Sequence, residues 1–518
     1  MKHLLAVDAG TGSGRAIIFD ENGNQLAAVD QEWTHKSDPR YPGSMDFDRE
    51  NNWQSLANCI RAVCSKVQGL NIVAISTTSM GEAFVLYDQA GEELWACANV
   101  DARAVGEVKA LREKDPQLER RLYLRTGQTF ALGAAPRLLW IKQHEPEIFR
   151  KAVWFSMLND WVAHRLGAPV VMEPSNSGTA GVCNINTRRW DLEVAESCGI
   201  KPELFRTPVM ESGSIIGSVS AQAALQTGLK EGIPIVVGGR DAQLGTIGVG
   251  AVLAGQAAVF GGTFWQQEVN LGKPMSDPTG RIRMDFHAVP GLWQAETIVF
   301  FPGFAARWFR DAMCPDIKER AAKEGRDAYT LLEEMASDTP PGSHGIIPIF
   351  SDAMDYAHWR HAAPSFLNLS VDPGIASRGA MFRALEENAA IVTLANLKRI
   401  TELTQKFPTH IIFASGASKG NLWCQILADV LQIPVHTRVV KEATALGAAI
   451  CAGVGVGLYQ GFQEAAEKLV KEDKIYLPDR QNEKIYHDLF ERWQAAYSVQ
   501  LDLANRGITN HLWRAPGE

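Results

Sequence analysis

The run Val236-Val237-Gly238-Gly239-Arg240-Asp241, an apolar strand that ends in two glycines and a carboxylate, restricts how this chain can fold more than any other segment. Two further strand-to-glycine junctions lie far from it in sequence, Val7-Asp8-Ala9-Gly10-Thr11-Gly12-Ser13 before it and Val259-Phe260-Gly261-Gly262-Thr263 after it. Loops rich in Gly and Thr at strand ends present backbone N–H groups with no Cβ in the way, which suits them to holding phosphate oxygens. The pair Gly-Thr says little by itself, since it recurs at Gly10, Gly178, Gly245 and Gly262 in a chain with 45 glycines. Position separates them: Gly10 follows Leu4-Leu5-Ala6-Val7, and Gly262 follows Ala257-Ala258-Val259-Phe260. Two such loops, with a carboxylate between them, point to phosphoryl transfer in a cleft.

At 518 residues the chain exceeds what one hydrophobic core organises, which predicts two large domains. Hydrophobic residues at 46% and charged residues at 21% place it among soluble globular proteins. A net charge of −8 and a pI near 5.9 give its surface no attraction for nucleic acid or an anionic membrane, so any phosphate must be bound locally. Met1-Lys2-His3 leads directly into a strand pattern, leaving no room for a signal peptide, and a cytoplasmic protein is expected. Residues 242–267 and 443–463 are free of charge and long enough to span a bilayer, but they are rich in Ala and interrupted by Gly, so they read as core segments. Eight scattered cysteines, with no C-x-x-C, predict reduced thiols and neither a disulfide frame nor structural zinc.

Residues 4–8, 15–20 and 25–32 form a meander of short β-like runs, with the hairpin signal Asp20-Glu21-Asn22-Gly23 between the last two. Trp53, Leu56, Ile60, Val63 and Val67 recur at helical spacing, and a strand over 71–76 and a helical region over about 136–166 follow. This is an α/β order with a mixed sheet, unlike a strictly parallel dinucleotide fold, and the loop Gly10–Ser13 lacks the Lys of a P-loop. After Gly250 the order begins again: a strand over 256–260, a β-rich stretch over 282–301, a long helix over 378–403, a strand over 410–414 and a helix over 421–431. The chain thus reads as a diverged internal duplication with one phosphate loop opening each half. The lobe boundary is expected within residues 245–252, giving lobes of 1–247 and 248–518.

Taken together, these residues resemble the FGGY family of carbohydrate kinases over nearly the whole chain. The marks are Asp8-Ala9-Gly10-Thr11 with Arg15, Asp101-Ala102-Arg103, Ser175-Asn176-Ser177-Gly178-Thr179 with Trp190-Asp191, Gly238 to Asp241, Gly261-Gly262-Thr263, and Glu442-Ala443-Thr444-Ala445-Leu446-Gly447. Each is weak alone, but six in the family's order are specific. The resemblance implies the two-lobed actin-like (ribonuclease H-like) ATPase duplication, with mixed sheets and a cleft between lobes. Within the family, segments such as Gly261-Gly262-Thr263-Phe264-Trp265-Gln266-Gln267 and Phe350-Ser351-Asp352 look like the autoinducer-2 kinase subfamily. The implied reaction moves the ATP γ-phosphate, with Mg²⁺, onto the terminal hydroxyl of 4,5-dihydroxypentane-2,3-dione in quorum-sensing signal processing. Another short sugar or polyol such as a ketopentose, or a catalytically weakened signal-binding regulator, stays open as an alternative. A homodimer also stays open.

The resemblance assigns roles residue by residue. Asp241 is the expected general base, with Arg15 beside the transferring phosphate, and Asp8 with Asp241 would hold Mg²⁺. Gly10, Thr11, Gly12, Ser13, Gly262 and Thr263 would hold phosphates, and Gly416 and Ala417 the adenosine. Glu82, Gly81, Arg240 and Trp265 join Asp241 around the acceptor. The sequence also departs from the subfamily's pattern: Gly81 stands where an Arg is expected, Arg240 where a Gly is expected, Gly14 replaces a branched apolar residue, and Ser415 and Ala417 replace glycines. Arg240 is expected to hold the Asp241 carboxylate below its usual pKa. The opposite sense of the changes at 81 and 240 suggests compensation, with one positive charge supplied from the other side of the pocket.

Overall fold

The computed structural model describes residues 1–131, 133–440 and 442–515. Its centre is two large mixed sheets. The first has the strand order Ile215–Ser218, Pro234–Arg240, Ile72–Ser79, His3–Ala9, Ser13–Asp20, Gln25–Glu32. The last three form the expected antiparallel meander, turned at Gly23 (φ +78°), where the Asp20 carboxylate accepts the N–H groups of Asn22 and Asn24 at 2.9 Å. His3–Ala9 also pairs in parallel with Ile72–Ser79, and that strand in turn with Pro234–Arg240. Parallel neighbours need a crossover. The helix Arg49–Ser65 lies between the first two in sequence, is capped by the Asp48 side chain, and buries Trp53, Leu56, Ile60 and Val63.

The second sheet repeats the plan in the order Arg283–Phe286, Trp293–Val299, Trp265–Leu271, Ala257–Gly261, Ile411–Ala414, Val435–Arg438, Glu472–Tyr476. Ala257–Gly261 is antiparallel to the next strand in sequence and parallel to Ile411–Ala414, as His3–Ala9 is antiparallel to Ser13–Asp20 and parallel to Ile72–Ser79. In each sheet the Gly-Thr loop is therefore the hairpin turn leaving a central strand. The long helix Arg378–Thr404 and the helix Asn421–Leu431 stand where the sequence order predicts them. Residues 136–166, expected to be helical throughout, are not. Pro146 begins a separate short helix, and Trp154–Met157 is a strand paired with Phe84–Tyr87, so its apolar run serves a sheet.

The two charge-free stretches are core. The helix Ala443–Gly455, although late in sequence, packs its small residues against Leu4, Ala6, Ala74 and Val236 of the first sheet. It crosses the helix Asp241–Gly248 with backbones in contact, since a Cβ at Gly248 would overlap the Ala443 carbonyl and one at Gly447 the Leu244 carbonyl. Among the described residues no helix is long and apolar enough to cross a membrane. All eight cysteines are free thiols.

Candidate active site

Three parallel strands bring their carboxyl ends to one place, the position where α/β sheets bind ligands. Asp8 on His3–Ala9 lies beside Thr78, and Thr78 lies beside Gly239. Gly238 and Gly239 serve close packing here. A Cβ at Gly238 would overlap the Thr77 carbonyl, and one at Gly239 would sit 2.6 Å from the Ser175 hydroxyl, which accepts the Arg240 N–H at 3.1 Å. This seating aims Arg240 and Asp241 out of the strand and into the site.

Asp241 opens its helix, and its Oδ1 accepts the Ala242 N–H at 2.7 Å. Its side chain keeps 41% of its surface open to the site. Desolvation of the carboxyl within the site pushes its pKa up to about 6, although Arg240 and the Ala242 N–H pull the other way. The expectation that Arg240 would hold Asp241 below the ordinary range is thereby corrected. The guanidinium approaches Asp241 only to 3.9 Å and is shared with nearer carboxylates. Asp8 is pushed up to about 7 by burial, with Arg15 opposing and Asp241 and Glu442 adding to the rise. Arg15 bridges to Glu442 at 3.3 Å, linking the first hairpin to the motif that precedes the helix Ala443–Gly455.

Arg240 is buried. Its Nη1 lies 2.9 Å from Glu296 and 3.2 Å from Asp285, and its Nη2 lies 4.0 Å from Glu82. The guanidinium stands directly over Gly81, where a Cβ would fall 2.6 Å from Nε. A side chain at 81 and Arg240 therefore compete for the same space. Arg283 completes the cluster, bonding Glu82 at 2.6 Å and Glu296 at 3.2 Å. Glu82 takes a left-handed backbone (φ 57°), held by Thr179 Oγ1 accepting its N–H at 3.1 Å and by Arg137 donating to its carbonyl at 2.7 Å. Burial raises the Glu82 pKa, but Arg283 and Arg240 outweigh it, and the group is held below the carboxylate range. Burial also pushes on Glu296, which the same two guanidinium groups hold below the carboxylate range, whereas Glu268 opposite it is raised by burial and by Glu296.

The Gly-Thr loops hold their shape by their own hydrogen bonds. The Gly10 N–H donates to the Ser13 carbonyl at 3.0 Å, and the Gly262 N–H donates to the carbonyls of Phe260 and Phe264 at 3.1 Å. Among the described residues the amides of Thr11, Gly12 and Thr263 have no such partner, so these rather than the glycine amides at 10 and 262 can meet phosphate. The first loop is fixed from behind by Trp33 and His35, whose ring N–H groups reach the Thr11 carbonyl, and by Asn99 on the Thr11 hydroxyl. Gly262, Thr263, Gly416 and Ala417 line one cavity of about 350 Å³. Ala417 packs on Gly261, and Gly303 abuts the Gly262 carbonyl so closely that no Cβ fits there. Ser415, which enters this loop, keeps a glycine-like backbone at φ 75°, ψ −162°.

Among the described residues no group of three His, Cys, Asp or Glu forms a metal cage. Mg²⁺ needs fewer, completing one or two carboxylates with water and phosphate oxygens. Asp8, with a buried Oδ1 lacking a hydrogen-bond partner and with Asp241 close enough to raise its pKa, fits such an ion. Trp265 does not belong to the acceptor site. It is fully buried among Phe413 and Trp423 at ring separations of 4.9 and 5.0 Å, because its strand turns that face to the core. Sequence reading missed Arg283, Asp285 and Glu296. They alternate with apolar neighbours as an exposed strand face would, and their partners lie up to 201 residues away.

The N-terminal domain model of the FGGY family of carbohydrate kinases matches residues 3–248, and its C-terminal domain model matches residues 278–456. Autoinducer-2 kinase of Escherichia coli (strain K12) is 49% identical over 518 residues, covering 99% of this chain and 98% of the relative. Autoinducer-2 kinase of Klebsiella pneumoniae is 49% identical over 520 residues, covering 100% and 98%. The crystal structure of xylulose kinase from Rhodospirillum rubrum superposes with a TM-score of 0.86 at 24% identity, covering 97% of this chain and 99% of that one, a likeness of fold. With both domain models matched in order and relatives this similar end to end, the chain belongs to the FGGY family of carbohydrate kinases.

Proposed function

We propose that this kinase transfers the γ-phosphoryl group of ATP to the terminal hydroxyl of autoinducer-2, 4,5-dihydroxypentane-2,3-dione. The observation that carries the choice of acceptor is the 49% identity, over essentially full length, to proteins named autoinducer-2 kinase. The Asp241 carboxylate accepts the proton of the acceptor hydroxyl as that oxygen bonds to the γ-phosphorus, and the bond from phosphorus to the β-phosphate bridging oxygen breaks to release ADP. A pKa near 6 suits this task, since the group is ionised at neutral pH yet more basic than an ordinary carboxylate. Glu82, fixed by Arg283, orients hydroxyls of the acceptor, and Arg240 supplies positive charge beside it. Amides of Thr11, Gly12 and Thr263 hold phosphate oxygens, with Arg15 close to the transferred group. Asp8, with Asp241, would hold Mg²⁺, which when bound offsets the negative charge of the phosphates. The lobe boundary falls at residues 247 and 248, and the reaction takes place in the cytoplasm, where it gives the signal an anionic group that opposes its escape across a membrane.

The test is Mg²⁺-dependent ADP release with the dione, run beside glycerol, xylulose and ribulose and with Asp241→Asn as control. Turnover selective for the dione and lost in the variant is expected. Preferential turnover of another acceptor would move the substrate, and silence with intact ATP binding would overturn the catalytic reading.

A further inference from the structure

The cavity lined by Gly262, Thr263, Gly416 and Ala417 extends to three helices of the second half, Ala328–Ser337, Arg378–Thr404 and Asn421–Leu431, which contribute Glu333, Phe382, Glu386 and Trp423 to its wall. Glu386 is 1% exposed, and neither of its carboxyl oxygens has a hydrogen-bond partner. Its neighbours differ. Glu387 accepts from Ser343 Oγ at 2.7 Å, the Gly342 N–H at 2.8 Å and Arg383 Nε at 3.0 Å. Glu333 is committed to the start of the helix Asn421–Leu431, accepting the Leu422 N–H at 3.4 Å, and fills the space a Cβ at Gly420 would need. Glu386 is also held in place, one helical turn from Phe382 and with its own carbonyl accepting Trp423 Nε1 at 3.2 Å. A buried carboxyl with no partner is costly to fold around and calls for a ligand to complete it.

We infer that Glu386 reads the amino edge of the nucleotide base, a role that rests on the phosphotransfer reading of this cavity. A neutral carboxyl presents one O–H donor beside one C=O acceptor. Adenine presents the complement, an amino N–H donor flanked by a ring-nitrogen acceptor, so two hydrogen bonds form and both oxygens of Glu386 are satisfied. Burial and the nearby Glu333 charge push the Glu386 carboxyl above its ordinary range, against the pull of Arg383, and so favour the neutral form that this pairing uses.

The experiment is calorimetric binding, without any acceptor sugar, of ATP and of purine-riboside triphosphate, which lacks only the amino group. Wild type binds ATP about tenfold tighter. Glu386→Gln, whose amide keeps a donor beside an acceptor, retains that preference. Glu386→Leu loses both hydrogen bonds and weakens ATP about a hundredfold, weakens the amino-free analogue about tenfold through the lost ring-nitrogen bond, and so erases the preference. Equal binding of the two nucleotides by wild type overturns the inference however the variants fold, as does an unchanged preference in Glu386→Leu. ATP binding without amino-group preference leaves phosphoryl transfer standing, whereas no ATP binding at all sinks both.

Discussion

Arg240 reaches the site from the residue just before the proposed base, and its Nε lies where a side chain at 81 would begin. The exchange of Arg for Gly at 81 and of Gly for Arg at 240, implied by the family pattern, is therefore a steric as well as an electrostatic swap. Arg240→Gly leaves the buried Asp285 and Glu296 short of one cation and should destabilise the fold by about 3 kcal/mol. Gly81→Arg alone has no room. The double variant should recover stability, with a coupling above about 1 kcal/mol in urea denaturation. If the double variant simply sums the single effects, the swap is not compensatory. Asp241 carries the second residue-scale prediction. Because its pKa is raised to about 6, the carboxylate is ionised above that value and protonated below it, so kcat/KM should fall about tenfold per pH unit below pH 6. An acid limb near pH 4 would contradict the assignment. Asp8, Glu82 and Asp241 are legible in sequence because each stands where a strand meets a glycine or sharp turn. Arg283, Asp285 and Glu296 are not, because a charge that alternates along a strand looks the same whether it faces water or the opposite half of the molecule.

At the scale of elements, the glycines of the opening motif have a meaning that composition does not disclose. Gly10 and Gly262 sit in hairpin turns closed by their own amides, while Gly238 and Gly239 let one strand press against Thr77 and Ser175. The same sequence signal thus covers two physical tasks, and only the register of neighbouring strands separates them. Ser415 shows the converse, a residue where the backbone calls for glycine. Its dihedrals fall in a region open to almost no other residue, a strain of about 1–3 kcal/mol. Ser415→Gly should raise stability by about 1 kcal/mol once the greater chain entropy of glycine is subtracted, measured as a shift in the urea midpoint. No gain would mean that local contacts favour this serine enough to offset the strain. Helix positions were legible from apolar spacing where one face is buried, as in Arg49–Ser65, and misread at residues 154–157, where a short apolar run suits strand and helix equally.

For the whole molecule, duplication is the organising fact, and it could be read from the repeated order of loop, hairpin and helix. What the order could not give is how the halves are joined. The helix Ala443–Gly455 from the second half lies on the first sheet, and the proposed acceptor site draws Glu82 and Arg240 from one half and Arg283, Asp285 and Glu296 from the other. A site assembled in this way depends on the relative placement of both halves, and its proposed base is the group whose loss should stop chemistry while leaving the cavity proposed for the nucleotide intact. The most direct measurement is phosphorus NMR of the product formed from ATP and 4,5-dihydroxypentane-2,3-dione, by wild type and by Asp241→Asn matched for ATP affinity. A phosphate ester on the terminal hydroxyl from wild type, with the rate down at least about a hundredfold in the variant, is the predicted result. A phosphorylated product formed equally fast by Asp241→Asn, or ATP consumed with phosphate released to water alone, would contradict it.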